Sequence, residues 1–200
     1  MRTPNERTLD TYNARAQQYI LHTPSELSPG LKAWYRDVLT GVPKAAAIFE
    51  IGSGSGRDAL FIESLGYTVT RTDAADTFVK ILSDAGVEAT KFNAITEPFP
   101  SGLDIVIANA VLVHFSREEA LGVMRKVYSA LVSGGKFALT LMEGDGEHVS
   151  DETDAKVGAP RYFCFWGKDD IEGALRDAGF RSVVVERAKR DTWLNVVVIK

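Results

Sequence analysis

Ile48-Phe49-Glu50-Ile51-Gly52-Ser53-Gly54-Ser55-Gly56 is the stretch that decides the fold. Ile48, Phe49 and Ile51 suit a central strand buried on both faces. The run ends in one acid and three glycines at alternate positions, which remove the Cβ atoms that would keep a ligand away from the backbone. Asp58 to Leu65, closed by Gly66, reads as a helix with a glycine stop, and the free amides of its first turn favour an anionic or polar ligand. The bland alternative is a tight strand-to-helix turn that binds nothing.

Outward from this loop the chain alternates. Strands are expected at 46–51, 67–72, 87–92, 103–108 and 136–142, with helices at 57–65, 75–84 and 117–131, and a loop holding two prolines at 96–102. Such alternation implies right-handed crossovers and a parallel sheet covered on both faces. Lys168 to Ala178 is an amphipathic helix stopped by Gly179. Strands at 180–189 and 192–199 then follow, joined by Arg190 and Asp191 alone. So short a link permits a hairpin and not a parallel crossover, so the last strand must run antiparallel to its partner. Upstream, residues 4–39 read as one or two polar helices across the domain, interrupted at 24–30 by Pro-Ser-Glu-Leu-Ser-Pro-Gly.

Two hundred residues, 45% hydrophobic and 25% charged, suit one globular domain, expected to comprise a helical segment at 1–43 and an α/β core at 44–200. A net charge of -4 gives no diffuse basic field for phosphates, which argues against nucleic acid as partner. The single cysteine, Cys164, sits between Phe163 and Phe165 as a packed thiol and suits a reducing compartment. No apolar run approaches a membrane span, and the amino terminus, with Arg2, Glu6, Arg7 and Asp10, has no apolar signal core. A cytoplasmic protein without a membrane partner is expected.

Asp73 stands directly after the second strand, seventeen residues beyond Gly56. A carboxylate at the end of the neighbouring strand can accept hydrogen bonds from both ribose hydroxyls of a nucleoside, or cap the next helix. The dinucleotide fingerprint G-x-G-x-x-G requires a third glycine where this chain has Arg57. The actual pattern, E-x-G-x-G-x-G, resembles the first motif of class I S-adenosylmethionine (SAM) dependent methyltransferases. Leu103-Asp104-Ile105-Val106-Ile107-Ala108-Asn109-Ala110 resembles the fourth-strand motif of the same family, and Leu131-Val132-Ser133-Gly134-Gly135-Lys136-Phe137 its glycine turn into the fifth strand. The likeness runs from about residue 45 to 200.

That resemblance implies a doubly wound, mostly parallel seven-stranded α/β sheet with an antiparallel last strand and amino-terminal helices over the cofactor cleft. It implies SAM as cofactor and S-adenosylhomocysteine as product. Glu50 would hold the cofactor's ammonium directly or through water, and the loop of Gly52, Ser53, Gly54 and Gly56 would receive its methionine part. Asp73 and Ala74 would take the ribose, Asn93 and Ala94 the adenine, and Asn109 and Ala110 would lie beside the transferring methyl. Tyr19 belongs to a tyrosine-flanked helix, Tyr12 to Tyr19, that many members lay over the cofactor, although two tyrosines seven apart on a helix also mark a packed face.

Methyl transfer is an in-line displacement accelerated by alignment, so no catalytic triad is required. Where the acceptor arrives protonated, His114 is the best placed base, with a packed histidine as the alternative. The acidic segment from Glu143 to Arg161, with Asp145, Glu147, His148, Asp151, Glu152 and Asp154, either contacts the acceptor or is a solvated loop. It lacks the paired ligands of a metal site. Asn109-Ala110-Val111-Leu112 lacks the Asn/Asp-Pro-Pro-Tyr/Phe signature of base amine methylation, and one cysteine cannot supply the pair common in cytosine C5 enzymes. Both absences count against nucleic acid and neither excludes a protein substrate; a small-molecule acceptor is expected. An NAD(P)-dependent oxidoreductase and a non-catalytic SAM-binding regulator remain open at this point.

Overall fold

The computed structural model describes residues 3–151, 154, 156–188 and 192–200. Arg2, Glu152 and the expected hairpin link Arg190-Asp191 lie outside the described residues. In chain order the elements are α1 (Pro4–Leu21), α2 (Pro29–Val38), β1 (Ile48–Ile51), α3 (Arg57–Ser64), β2 (Val69–Asp73), α4 (Asp76–Asp84), β3 (Thr90–Lys91) and β4 (Leu103–Asn109). A 3-10 turn at Leu112–His114 leads to α5 (Arg117–Ala130), β5 (Leu131–Met142), β6 (Glu147–Val149), β7 (Tyr162–Cys164), α6 (Lys168–Asp177), β8 (Ser182–Arg187) and β9 (Trp193–Ile199).

Seven strands form one sheet in the order β3-β2-β1-β4-β5-β9-β8. β1 pairs in parallel with β2 and β4, β2 with β3, and β4 with β5. β9 lies antiparallel between β5 and β8, so it alone runs against the other six strands. The sheet reverses its order of growth at β1 and β4, which places a crevice at the carboxyl ends of these two strands.

Side-chain alternation along β4 assigns the two faces. Ile105 and Ile107 join Ile48, Ala138, Trp34 and Tyr35 of α2 and Ile62 of α3 in one apolar layer. Val106 and Ala108 face the other way, into a layer with Phe137, Leu139, Val123 and Met124 of α5, and Ile171 and Leu175 of α6. α5 begins with a reciprocal capping box between Ser116 and Glu119, which satisfies two amides its first turn leaves free. α2 therefore covers a sheet face beside α3, while α1 packs elsewhere, with Ala16 against Ala75 and Phe78 of α4.

Two segments depart from the expected pattern. The strand expected at 87–92 shrinks to Thr90–Lys91, both exposed at the sheet edge. The expected loop from Glu143 to Arg161 contributes a hairpin strand, with Glu147, His148 and Val149 pairing with Cys164, Phe163 and Tyr162. Cys164 is buried there, and burial raises its thiol pKa. Among the described residues no helix is long and apolar enough to cross a membrane.

Candidate active site

A cavity opens at the carboxyl ends of β1, β2 and β4, roofed by α1. Ten of the thirteen expected site residues border it: Tyr19, Gly52, Gly54, Asp73, Ala74, Asn93, Ala94, Asn109, Ala110 and His114. Glu50, Ser53 and Gly56 lie behind the wall, in the supporting layer. The three loop glycines all have left-handed backbone, at φ 69, 51 and 77 for Gly52, Gly54 and Gly56. Their reasons differ. A Cβ on Gly52 would stand 2.6 Å from Val111 Cγ2, and one on Gly56 2.8 Å from Leu82 Cδ2, so both are closed by the protein's own side chains. Gly54 meets only the Tyr19 ring, at 4.0 Å, and so it is Gly54 that leaves backbone open to the cavity.

Asp73 ties this loop to the second strand. Its Oδ2 accepts the Gly54 amide at 2.9 Å and its Oδ1 accepts the Ala75 amide at 2.8 Å. Burial lifts the carboxyl to about 6 against the pull of these amides. Each oxygen keeps a further lone pair, so holding the loop and receiving ligand hydroxyls are compatible.

Glu50 is buried, and among the described residues no cation pairs with it; its carboxylate accepts only the Ser53 hydroxyl. Burial and then the nearby Asp58 raise it to about 8. An acid held neutral in this way behind the cavity wall ionises when a cation is brought near it, which agrees with an ammonium-bearing ligand.

Asn93 forms a local turn, its Oδ1 accepting the Ile95 amide at 2.9 Å. The loop that follows is clamped by Lys126 of α5, whose ammonium donates to the carbonyls of Ala94, Ile95 and Glu97 at 3.1, 2.6 and 3.1 Å. Nothing in the sequence near Lys126 marks this role, because the contact spans some thirty residues and a crossover helix.

His114 is fully engaged. Its Nδ1 lies 2.7 Å from the Tyr162 carbonyl and must carry the hydrogen, since a carbonyl only accepts. Nε2 is then the acceptor, and the Tyr12 hydroxyl donates to it at 2.8 Å. Tyr12 in turn accepts from Arg161 Nη1 at 2.8 Å. Arg161 is held by Asp154 through a buried, bidentate pair with contacts of 2.7 to 3.0 Å. Burial drives His114 down to about 4, and burial raises the Tyr12 phenol. The α1 roof is further fixed by Asn5, which donates to the His114 carbonyl at 3.3 Å, and by Thr8, which accepts from the Tyr162 amide at 3.0 Å. Tyr12 and Tyr19 both pack on Phe78 and both border the cavity, so they are packed face and roof at once. Of the acidic segment, none of the described acids borders the cavity. Its returning end, Arg161 and Tyr162, braces the roof instead.

Comparison with known proteins agrees with this geometry. Residues 49–139 match the family described as a methyltransferase domain. The chain resembles the structure of the CcbJ methyltransferase from Streptomyces caelestis, with TM-score 0.74 and 14% identity over 94% of this chain and 97% of that one. It also resembles a SAM-dependent methyltransferase from Methanosarcina mazei, with TM-score 0.69 and 17% identity over 88% and 98% of the two chains. A third likeness is the Burkholderia thailandensis 1,6-didemethyltoxoflavin-N1-methyltransferase with its substrate and S-adenosylhomocysteine, with TM-score 0.67 and 18% identity over 86% and 78%. At these identities the structural likenesses are likenesses of fold. No curated protein matches the chain by sequence. The family match falls on the strands and loops that build the cavity, so residues 49–139 carry a methyltransferase domain on a seven-stranded α/β sheet. Its cofactor is SAM.

Proposed function

We propose that this enzyme methylates a small-molecule acceptor in the cavity under α1. The observation that carries the reading is the convergence of Gly54, Asp73, Asn93 and Asn109 from the ends of four separate strands on one cleft that an amino-terminal helix roofs. A roof pinned by Asn5, Thr8 and Tyr12 suits a compact acceptor better than a polymer passing through.

Bound SAM supplies an electron-poor methyl carbon attached to a positively charged sulfur. Asp73 and Ala74 receive the ribose, Asn93 and Ala94 the adenine, and Gly52, Ser53, Gly54 and Gly56 build the loop for the methionine part. Glu50 answers the ammonium from behind that loop, and Tyr19 covers the cofactor. Asn109 and Ala110 wall the side where the acceptor meets the methyl group. Rate enhancement then comes from holding acceptor and methyl in line in a site closed to water. His114, whose Nε2 is occupied by the Tyr12 hydroxyl and whose pKa burial lowers to about 4, braces the roof as a packed histidine rather than serving as a base.

The fold neighbours include the toxoflavin-precursor enzyme above and a glycopeptide N-methyltransferase complexed with S-adenosylhomocysteine, and those acceptors support a small-molecule class for this chain. The test is incubation with methyl-labelled SAM and a panel of low-molecular-weight phenols, amines and thiols, beside folded RNA and a protein lysate. Label in a small product is expected. Label confined to RNA or protein refutes the proposal.

A further inference from the structure

Asn109 and Thr140 pair across β4 and β5, at the point where β4 runs out into the cavity wall. The next residue, Ala110, has φ 58, the one described residue other than glycine in the left-handed region. A side chain there is strained, because its Cβ crowds the following carbonyl. The surroundings hold it in place. Asp58, at the start of α3, accepts from the Tyr35 hydroxyl at 2.9 Å, from Arg57 Nε at 2.9 Å, and from Asn109 Nδ2. A carboxylate accepts, so Asn109 must turn its amide nitrogen toward Asp58 and its Oδ1 toward Thr140. The Thr140 hydroxyl therefore donates to Asn109 Oδ1, at 2.6 Å. Its lone pair is left to accept the Ala110 amide, at 2.9 Å.

The strained turn has a consequence for the cleft. It delivers Val111 onto the β1 loop, with Val111 Cγ2 only 2.6 Å from where a Cβ on Gly52 would stand. Gly52, Asn109, Ala110 and Val111 together form the wall between the tips of β1 and β4.

We infer that Thr140 is a positioning residue for cofactor binding: through Ala110 it holds the β4 tip in a left-handed turn that seats Val111 on Gly52 and shapes the wall of the cleft. Thr140 touches no ligand in this account; it acts through Ala110. The inference rests on the cleft being the SAM site. Without the Thr140 hydroxyl, alanine returns to right-handed backbone, the competent wall becomes a minor state, and apparent affinity falls by the fraction lost. Glycine at 110 holds the left-handed turn without strain, so it restores the wall even when the hydroxyl is gone.

The experiment is calorimetric titration of S-adenosylhomocysteine into wild type, Thr140→Ser, Thr140→Val and the double variant Thr140→Val with Ala110→Gly, each with a thermal melt. Thr140→Val is expected to bind about tenfold more weakly, the size of a left-handed penalty. Thr140→Ser is expected to bind like wild type, and the double variant to recover most of the loss. A purely structural threonine would not be rescued by glycine one strand away. Wild-type affinity in Thr140→Val, or no recovery in the double variant, overturns the inference. Should Thr140→Val not fold, Ala110→Val decides: a β-branched residue at φ 58 is expected to weaken binding at least tenfold, and unchanged affinity overturns the inference. Failure of the wild type to bind S-adenosylhomocysteine would instead sink the reading of the cleft.

Discussion

The Tyr12 hydroxyl donates to Nε2 of His114 at 2.8 Å, across 102 residues of chain, and this contact helps join the roof helix α1 to the 3-10 turn beyond β4. The same hydroxyl accepts from Arg161, so it is the junction of three elements that the sequence keeps far apart.

Tyr12→Phe deletes that junction while keeping the ring on Phe78. His114 Nε2 and Arg161 Nη1 would each lose a partner in a buried setting, a loss of about 1–3 kcal/mol for each unsatisfied group. We expect a lower melting temperature and faster amide hydrogen exchange in α1, with the central strands unchanged. Exchange in α1 indistinguishable from wild type would show that the latch does not hold the roof.

Acid and base limbs of stability should carry opposite signs from named groups. His114 stays neutral in the folded protein down to about 4, whereas the unfolded chain protonates it near its ordinary value of about 6.5, so this group lowers stability as pH falls through that window. Glu50 keeps its proton in the folded protein up to about 8 and loses it in the unfolded chain near about 4.3, so it lowers stability as pH rises between those values. Asp73 acts with the sign of Glu50 but only up to about 6. Of the three, Glu50 alone still titrates above pH ~6.5. The ligand-free protein is therefore expected to lose melting temperature from pH ~6.5 to ~8, and Glu50→Gln to flatten that slope. If the cofactor's ammonium ionises Glu50, binding S-adenosylhomocysteine at pH ~7 releases about one proton, read by calorimetry in buffers of different ionisation enthalpy. No proton release in the wild type would remove Glu50 from the ammonium site.

Two glycines of one loop should fail differently. Gly52→Ala places a methyl 2.6 Å from Val111 Cγ2 on left-handed backbone, so it should destabilise the fold by about 2–3 kcal/mol. Gly54→Ala meets nothing closer than 4.0 Å, so it carries only the left-handed cost of about 1 kcal/mol but intrudes on the cavity. Chemical denaturation beside S-adenosylhomocysteine titration separates the two. The account expects Gly54→Ala to lose affinity out of proportion to its stability, and equal behaviour of both variants would contradict it.

Local signals made the cavity wall at the strand ends legible. The acid and glycines after Ile48, the acid at 73 and the apolar run into Asn109 each reside in a few consecutive residues, because strand tips and tight turns are specified locally. The doubly wound sheet and its reversed last strand followed from alternation and from the brevity of the closing link. What stayed hidden depends on distant partners. Arg161 looks like any loop arginine until Asp154 and Tyr12 close around it. Thr140 reads as an ordinary strand residue, and its hydroxyl matters only because register sets it opposite Asn109. Ala110 gave no sign of left-handed backbone, since alanine rarely adopts it. Glu147 to Val149 are exposed throughout, so this arm of the hairpin carries no burial pattern from which to read a strand.

A crystal structure grown with S-adenosylhomocysteine tests the central claim most directly. The account expects the ribose hydroxyls within hydrogen-bonding distance of Asp73, the adenine against Asn93 and Ala94, the ammonium on the Glu50 side of the glycine loop, and the sulfur facing Asn109 and Ala110 beneath Tyr19. A ligand bound outside the cleft, or seated in it with its ribose away from Asp73, would contradict it.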